Sequence, residues 1–203
     1  MADCQLYLIS PLDVSGAFPQ RLERALEAGP VVAFQFRVKG ADQHEAARLA
    51  EPLQAICRER EVAFIVNDSI ALAKRLKADG VHLGQHDGTV REAREALGRE
   101  AQIGVTCHAS RHLAMEAGDA GADYVAFGAF FPSPTKPSEH RPEPELLAWW
   151  SGLMEIPCVA IGGITPDNCG PLVEAGADFL AVSSAVWSGE EAEEVRAFAK
   201  QLK

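Results

Sequence analysis

Two basic side chains stand at alternate positions where an apolar run of the sequence ends. The run begins at Val31, and Arg37 and Lys39 lie at its end. Because alternate residues of a strand share one face, we expect both cations to point the same way. Two cations at one edge suit a di-anionic or tri-anionic oxygen cluster, although a solvated Arg/Lys pair gives the same pattern. This segment is therefore a candidate binding site for an anionic ligand.

Two aspartates follow the next two apolar runs. Asp68 comes directly after Asn67 at the end of one run, and Asp87 lies in the loop after the other. If the two runs are neighbouring parallel strands, the carboxylates lie at the same edge and repel each other. A divalent cation removes that repulsion, and Mg²⁺ prefers oxygen ligands from Asp and from phosphate. The alternatives are a helix N-cap at Asp68 and a turn residue at Asp87.

Glycine and serine pairs follow the last two apolar runs. Gly162 and Gly163 end one run, and Ser183 and Ser184 end the other. Glycines let a phosphate group approach backbone N–H groups, and serines add hydroxyl donors. We expect a phosphate site here, with tight packing between strand and helix as the alternative for the glycines.

A proline-rich loop spans residues 130–137. Its prolines, among them Pro134, restrict the backbone. Hydroxyl and ammonium donors are offered by Ser133, Thr135 and Lys136. The composition is typical of a phosphate-holding or lid loop, and also of loops that bind no ligand.

Short apolar runs alternate with segments of helical spacing along the chain. Such continuous runs are typical of parallel strands that are covered on both faces. Thr165 and Pro166 predict a helix start, with the hydroxyl as N-cap. The predicted strands are Leu6–Ser10, Val31–Arg37, Val62–Asn67, Gly80–Gly84, Ile103–Cys107, Tyr124–Gly128, Cys158–Gly163 and Phe179–Ser184. The predicted helices are Asp42–Arg60, Ala71–Lys77, Val90–Leu97, Ala109–Ala117, Glu143–Leu153, Pro166–Ala175 and Glu190–Leu202.

A similar phrase introduces three of the predicted strands. Each phrase places an alanine and an aspartate directly before the strand, with the aspartates at Asp79, Asp123 and Asp178. A repeated unit of helix, Ala-Asp and strand favours a rotationally repeating barrel. We therefore expect an α/β fold, a (β/α)₈ TIM barrel with residues 1–203 as one domain, and take a doubly wound open sheet as the structural alternative.

The histidines, cysteines and tryptophans carry weaker signals. His82 lies inside an apolar run and is expected to be a hydrogen-bonded barrel residue, whereas His108 is a candidate acid or base near the barrel mouth. Cys107 stands beside His108, but no other residue supports a Cys/His nucleophile. Trp149 and Trp150 are expected to be core or interface anchors.

Composition excludes several classes of function. The chain has 203 residues, with 19 basic and 29 acidic side chains and a formal net charge of −10. An acidic chain is a poor candidate for nucleic-acid or anionic-membrane binding, and no apolar stretch is long enough to span a bilayer. The five cysteines lack Cys-x-x-Cys spacing, and the start lacks a signal-peptide pattern. We expect a cytoplasmic protein with small phosphorylated ligands as partners, and a homodimer is compatible with the sequence.

In their order along the chain, these motifs resemble those of the thiamine phosphate synthase family. The resemblance covers nearly the whole chain. It rests on Gln35-Phe36-Arg37-Val38-Lys39, Asn67-Asp68, Ala78 to Asp87, Ser133-Pro134-Thr135-Lys136, Ala160 to Ile164 and Ser183-Ser184-Ala185.

The resemblance implies a role for each motif. It implies that residues 35–39, Asn67 and Lys136 bind hydroxymethylpyrimidine diphosphate and that Asp68 and Asp87 hold Mg²⁺. It further implies that the thiazole phosphate is held by Ser133, Pro134, Thr135, Gly163, Ser183 and Ser184. The implied catalysis is Mg²⁺-assisted loss of diphosphate, with stabilisation of the leaving group by Arg37, Lys39 and Lys136.

Four positions depart from the family pattern. Phe36 replaces the usual leucine, Thr106 replaces a serine on the diphosphate side, Ser133 replaces a threonine and Ala129 replaces a proline. The hydroxyl exchanges keep the donor, and Phe36 is expected to alter the pyrimidine pocket. The rival functions are a thiazole tautomerase on the same barrel, with His108 as acid or base, and a noncatalytic phosphate-binding paralogue.

Overall fold

Eight parallel strands pair in chain order and close into a barrel. The computed structural model describes residues 4–132 and 141–202. The strands are β1 (Gln5–Ile9), β2 (Val31–Phe36), β3 (Ala63–Asn67), β4 (Gly80–Leu83), β5 (Gln102–His108), β6 (Tyr124–Gly128), β7 (Cys158–Ile161) and β8 (Phe179–Val182). Because β8 pairs with β1 as well as with β7, the predicted (β/α)₈ barrel is confirmed and the open sheet is excluded.

Helices follow the strands around the outside of the barrel. Within residues 4–132 and 141–202 they are α1 (Phe18–Glu27), α2 (Gln43–Glu59), α3 (Ile70–Leu76), α4 (Val90–Leu97), α5 (Arg111–Asp119), α6 (Glu145–Ser151), α7 (Gly170–Glu174), α8 (Ser184–Trp187) and α9 (Glu191–Ala199). Each predicted helical segment contains or overlaps one of these helices, whereas α1 and α8 were not predicted. No helix of the described chain is long and apolar enough to cross a membrane.

Alternate side chains of the strands build two separate apolar layers. Tyr7, Tyr124 and Val159 belong to a cluster inside the barrel. Leu6 and Phe34 belong to the larger cluster that joins the strands to the helices. This two-residue period decides which side chains can reach the barrel interior.

The repeated Ala-Asp phrase ties neighbouring strands together at the start of each pair. Each aspartate accepts a hydrogen bond at its carboxylate from one residue of the preceding strand, and its own N–H donates to the carbonyl of that residue. The pairs are Asp79 with Phe64, Asp123 with Ile103 and Asp178 with Cys158, with N–H to carboxylate distances of 2.7, 2.7 and 2.8 Å. We call these three contacts the aspartate bridges. They link β3 to β4, β5 to β6 and β7 to β8, which agrees with the predicted repeat.

The helix start predicted at Thr165 and Pro166 is wrong. Helix α7 begins at Gly170 instead. The side chain of Asn168 accepts a hydrogen bond from the N–H of Thr165 at 2.8 Å and donates to the carbonyl of Gly163 at 3.0 Å. The segment between Thr165 and α7 is a turn held by Asn168, and no side chain caps the start of α7.

A buried carboxylate joins the last helix to the first. Glu191 begins α9, is 3% exposed and accepts hydrogen bonds from the Nε atoms of Arg21 at 3.0 Å and Arg24 at 2.7 Å. Both arginines lie on α1. The contact reinforces the closure of the barrel between β8 and β1.

Candidate active site

The candidate site residues within the described chain gather at the carboxyl ends of the strands. Parallel strands in a closed barrel end on one rim, so these residues share that rim. They are Gln35, Phe36, Arg37, Val38 and Lys39 in and after β2, Asn67 and Asp68 at β3, Asp87 after β4, Thr106 in β5, Gly163 after β7, and Ser183 and Ser184 after β8. The candidates Ser133, Pro134, Thr135 and Lys136 lie outside the described residues.

The end of β2 is anchored by Ser10, which sequence reasoning missed. The Ser10 hydroxyl accepts a hydrogen bond from the N–H of Arg37 at 2.9 Å and donates to the Arg37 carbonyl at 3.2 Å. The Ser183 hydroxyl donates to the Ser10 carbonyl at 3.5 Å. Ser10 is buried and directly follows β1. Through these hydrogen bonds it fixes the backbone of Arg37 and contacts Ser183 in the candidate phosphate loop.

Phe36 points away from the barrel interior. Its side chain is 2% exposed and stacks on Phe64 at 5.8 Å between ring centroids, within the helix-facing core. Gln35, one residue earlier, faces the interior and donates a hydrogen bond to Tyr7. The two-residue period of the strand therefore puts the Phe36 ring behind the pocket that it was expected to alter.

Asp68 and Asp87 lie together on adjacent strand ends. Asp68 has a left-handed φ of 65° and follows β3, while Asp87 follows β4 and accepts a hydrogen bond from the N–H of Gly84 at 2.9 Å. Burial raises the pKa of Asp68, and the charge of Asp87 and a hydrogen bond between the two carboxyl groups raise it further. Lys39 lies beside Asp68, with 4.0 Å between the Lys39 Nζ and the Asp68 Oδ2.

The crowding of two carboxylates fits a divalent cation. The charged form of Asp68 is disfavoured without a counter-charge, and a cation between the two groups would remove that cost. No group of three or more His, Cys, Asp or Glu side chains suited to a metal occurs in the part of the chain that the structure describes. A pair of carboxylates suits Mg²⁺ that completes its shell with water and ligand phosphate. Asp68 and Asp87 are therefore the residues that could hold a metal.

A chain of hydrogen bonds crosses the barrel interior from β2 to β5. Gln35 Nε2 donates to the Tyr7 hydroxyl at 3.0 Å, and the Tyr7 and Tyr124 hydroxyls lie 2.9 Å apart. The Tyr124 hydroxyl lies 3.0 Å from Nδ1 of His82, whose Nε2 lies 2.8 Å from Oγ1 of Thr106. We call these five residues the interior chain. The expectation that His82 is a hydrogen-bonded barrel residue is confirmed, while the two tyrosines were missed.

Burial shifts the titration of the interior chain. It lowers the pKa of His82 to about 4 and raises the pKa of Tyr7 to about 12. Burial also raises the pKa of Tyr124, and the neighbouring Tyr7 adds to that shift. At neutral pH the histidine is thus a neutral ring between two protonated hydroxyl groups.

The glycines after β7 pack against the start of the 130–137 loop. Gly162 and Gly163 have φ values of 104° and 63°. A Cβ on Gly163 would overlap the carbonyl oxygen of Pro132, and the Gly162 carbonyl accepts a hydrogen bond from the N–H of Phe131 at 3.0 Å. Asn168 holds the Gly163 carbonyl from the other side. The backbone is thus fixed where a phosphate site was expected, and Asn168 is a supporting residue that was missed.

The remaining candidates are His108, Cys107 and Trp150. His108 ends β5 on the rim. Burial raises the pKa of the Cys107 thiol to about 12, which excludes a thiolate nucleophile at neutral pH. Trp150 is buried, contacts Phe127 and donates to the Ile156 carbonyl at 2.7 Å, so it is a core anchor as expected.

The fold and the position of the described site residues define a (β/α)₈-barrel enzyme with its candidate site on the rim at the carboxyl ends of the strands. Residues 6–186 match the family model described as thiamine monophosphate synthase, and the chain belongs to that family.

Relatives in sequence and in structure agree with the family. A protein of Erythrobacter litoralis named thiamine-phosphate synthase is 79% identical over 202 residues, which cover 98% of this chain and 95% of that protein. One of Rhodospirillum centenum with the same name is 53% identical and covers 93% of this chain and 91% of that protein. The solved structure of a thiamine phosphate pyrophosphorylase from Pyrococcus furiosus is 32% identical, with a TM-score of 0.86 and coverage of 98% and 95%.

Proposed function

We propose that the protein is a transferase that makes thiamine phosphate. Its substrates are 4-amino-2-methyl-5-(diphosphooxymethyl)pyrimidine and 4-methyl-5-(2-phosphoethyl)thiazole, and its second product is diphosphate. The name and the near-complete coverage of the relative at 79% identity support this activity. So does the name of the solved relative from Pyrococcus furiosus.

The observation that carries the proposal is the paired carboxylates of Asp68 and Asp87 with Lys39 beside them. A diphosphate that leaves its carbon gains negative charge, and groups that stabilise this charge must already lie where it develops. A metal ion held by this carboxylate pair, next to a lysine on the barrel rim, would meet that requirement.

The bond changes explain why no general base is needed. The bond between the methylene carbon and the diphosphate oxygen breaks, and its electron pair leaves with diphosphate. The electron-rich aminopyrimidine stabilises the methylene cation until the lone pair of the thiazole nitrogen forms the new C–N bond. That nitrogen has no proton to lose, so proton abstraction is not part of the reaction.

Three cationic side chains would bind the diphosphate. We assign this role to Arg37, Lys39 and Lys136, which would hold the leaving group in line with the incoming nitrogen. Asp68 and Asp87 would hold Mg²⁺, which when bound neutralises charge on the diphosphate oxygens. The backbone contacts of Ser10 support Arg37 in this role, because they limit the movement of the strand end that carries it.

The pyrimidine would bind over the interior chain. Gln35 and Asn67 offer amides, Thr106 offers a hydroxyl, and Phe36 and Val38 contribute backbone at the end of β2. Gln35 is buried and its Nε2 donates to the Tyr7 hydroxyl, which supports a fixed orientation for its amide.

The thiazole phosphate would bind at the ends of β7 and β8. Gly163, Ser183 and Ser184 would donate backbone N–H and hydroxyl groups to the phosphate, together with Ser133 and Thr135 of the proline-rich loop. Pro134 between them would restrict the backbone of that loop. The contact of Gly163 with Pro132 supports a shared site, because the two loops meet there.

The cellular setting follows from the same proposal. All five cysteines are free and buried, which supports the cytoplasm as a reducing compartment. A homodimer stays a prediction, which sedimentation of the purified chain tests.

The test is a product assay with matched variants. Purified protein is mixed with both substrates and Mg²⁺, and thiamine phosphate and diphosphate are measured with and without EDTA. Asp87→Asn removes a proposed metal ligand, while Asp119→Asn removes an exposed carboxylate on α5 and serves as the control.

The outcomes separate the synthase from its rivals. Product that vanishes with EDTA and in Asp87→Asn, but persists in Asp119→Asn, supports the synthase and its metal site. Absence of product with conversion of the thiazole phosphate tautomer would identify the tautomerase instead. Binding of both substrates without any conversion would identify the noncatalytic paralogue.

A further inference from the structure

The interior chain ends at two residues that the proposed function places on the substrates. Gln35 is its first member and Thr106 its last, and between them stand Tyr7, Tyr124 and His82. The middle three residues are buried. We propose that the interior chain has a single direction of hydrogen-bond donation, from Gln35 to Thr106, and that His82 sets it as the Nε2–H tautomer.

With the Gln35 amide oriented as in the structure, counting protons along the interior chain gives this direction. The Nε2 group of Gln35 can only donate, so the Tyr7 oxygen accepts from it. The single proton of Tyr7 then has one partner left, which is the oxygen of Tyr124. The proton of Tyr124 in turn passes to Nδ1 of His82, because this is its other neighbour in the interior chain.

The histidine carries the direction across to β5. Since Nδ1 of His82 accepts, the ring proton of the neutral imidazole sits on Nε2 and is donated to Oγ1 of Thr106. A doubly protonated ring would direct a second proton at Tyr124 and leave one hydroxyl proton of the tyrosine pair without an acceptor. The neutral ring is therefore the form in which every buried polar atom of the interior chain has a hydrogen-bond partner.

The direction decides what each end offers to a ligand. The Thr106 oxygen accepts from His82, which leaves its own proton available as a donor to an anionic oxygen. The amide of Gln35 uses Nε2 inside the barrel, which leaves Oε1 as an acceptor for the exocyclic amino group of the pyrimidine. The two ends are therefore matched to the two ends of one substrate, with diphosphate at Thr106 and the amino group at Gln35.

The reverse direction satisfies the same buried atoms but fails at the ligand. It would require the Gln35 amide to be flipped and the Thr106 hydroxyl to donate inward to His82. Thr106 would then present only lone pairs to a diphosphate, and Gln35 would present donors to an amino group. Both contacts would be repulsive, so a bound substrate of this kind selects the forward direction.

Tyr7, Tyr124 and His82 are thus positioning residues that act through Gln35 and Thr106. This inference rests on the proposed function for the identity of the ligand. The tautomer of His82, however, can be measured without any turnover.

The test measures the tautomer by nitrogen NMR of protein with ¹⁵N-labelled histidine at neutral pH. The signals of His82 are assigned by their loss in His82→Gln, with His112→Gln as the matched variant at an exposed histidine. We expect a protonated Nε2 and a bare Nδ1, both in free protein and with Mg²⁺ and inorganic diphosphate. A protonated Nδ1 in the diphosphate complex would overturn the inference, even if the enzyme makes thiamine phosphate.

Two tyrosine variants separate positioning from simple packing. Tyr124→Phe removes the donor to Nδ1, so we expect a mixture of His82 tautomers and about a tenfold fall in kcat/KM for the pyrimidine diphosphate. Tyr7→Phe leaves the donor to Nδ1 in place, so we expect the tautomer to be retained although Gln35 loses its acceptor.

The two variants have opposite readouts if the inference holds. An unchanged tautomer in Tyr124→Phe would overturn it, as would a mixture of tautomers in Tyr7→Phe. If the wild-type chain made no thiamine phosphate, the proposed function would fail, and the spectra of the free protein would still decide the direction of the interior chain.

Discussion

Ser69 caps helix α3, and this leaves its neighbour Asp68 free for the barrel mouth. The Ser69 hydroxyl accepts a hydrogen bond from the N–H of Leu72 at 3.1 Å. Asp68 takes a left-handed φ of 65° and contacts Asp87 and Lys39 instead. The sequence left open whether Asp68 is a cap or a metal ligand. The structure gives capping to Ser69, so the two roles can be tested by separate substitutions.

Asp68→Asn is expected to reduce synthase activity by about 100-fold or more, because it removes one of two charged oxygen ligands for Mg²⁺. The thermal midpoint should stay the same or rise, since the raised pKa of Asp68 shows that its charge is disfavoured beside Asp87. Ser69→Ala should lower the free energy of unfolding by about 1 kcal/mol through loss of the cap. Turnover and urea unfolding of both variants test whether Asp68 acts in catalysis and Ser69 in stability. A destabilised Asp68→Asn with full activity would contradict this division of roles.

The strands were predictable because the pattern that identifies a strand lies within a few consecutive residues. Most of the strands are mainly apolar runs, and parallel strands covered on both faces need little else. Helix α1 carried a usable signal that was overlooked, since Phe18, Leu22, Ala25 and Leu26 form one buried stripe. Helix α8 has 4 residues and is too short to show a period.

The aspartate bridges are expected to contribute to stability and not to chemistry. A carboxylate that accepts from a backbone N–H is a charge-assisted contact, so we expect Asp178→Asn to cost about 1–3 kcal/mol in unfolding free energy. Asp123→Asn should cost more, because Asp123 also accepts from Arg94 at 2.6 Å. Urea unfolding with Asp119→Asn as control measures both, and equal losses in the two variants would contradict the added role of Arg94.

The buried His82 predicts a loss of stability in mild acid. Its pKa is about 4 in the folded protein against an ordinary value of 6.5, so the unfolded chain binds more protons between these values. The contribution is fully present above about pH 6.5 and is lost as the pH falls towards 4, by about 2 kcal/mol between pH 7 and pH 5.

Unfolding of wild type and His82→Gln at both pH values measures this contribution. The wild-type loss between pH 7 and pH 5 should exceed that of His82→Gln by about 2 kcal/mol. His112→Gln, at an exposed histidine, should behave as wild type. Equal losses in all three proteins would show that His82 titrates normally.

Gly163→Ala is expected to damage the proposed thiazole phosphate site. The left-handed φ of 63° disfavours alanine, and the new Cβ would overlap the Pro132 carbonyl. Gly98→Ala is the matched control, because Gly98 has a φ of 93° with nothing within 4 Å of its Cβ position. We expect Gly98→Ala to lower the free energy of unfolding by about 1 kcal/mol. Gly163→Ala should lower it by more than this and should also raise KM for the thiazole phosphate. A similar KM in both variants would argue against Gly163 in this site.

The parts of the site that escaped prediction depend on contacts between distant residues. Tyr7 and Tyr124 are separated by 117 positions, and no local pattern shows that their hydroxyls meet. Ser10 and Asn168 are short polar residues near strand ends, which is also where ordinary turn residues stand. The rim residues were predictable because they follow strands, whereas the polar interior needed the closed barrel.

Closure between β1 and β8 has a consequence for synthesis on the ribosome. In the folded protein β1 pairs with β2 on one edge and with β8 on the other, so this second edge stays open until β8 has emerged. Glu191 can then bring α9 against α1. Throughout translation the nascent chain therefore carries an unpaired β edge that can recruit foreign strands.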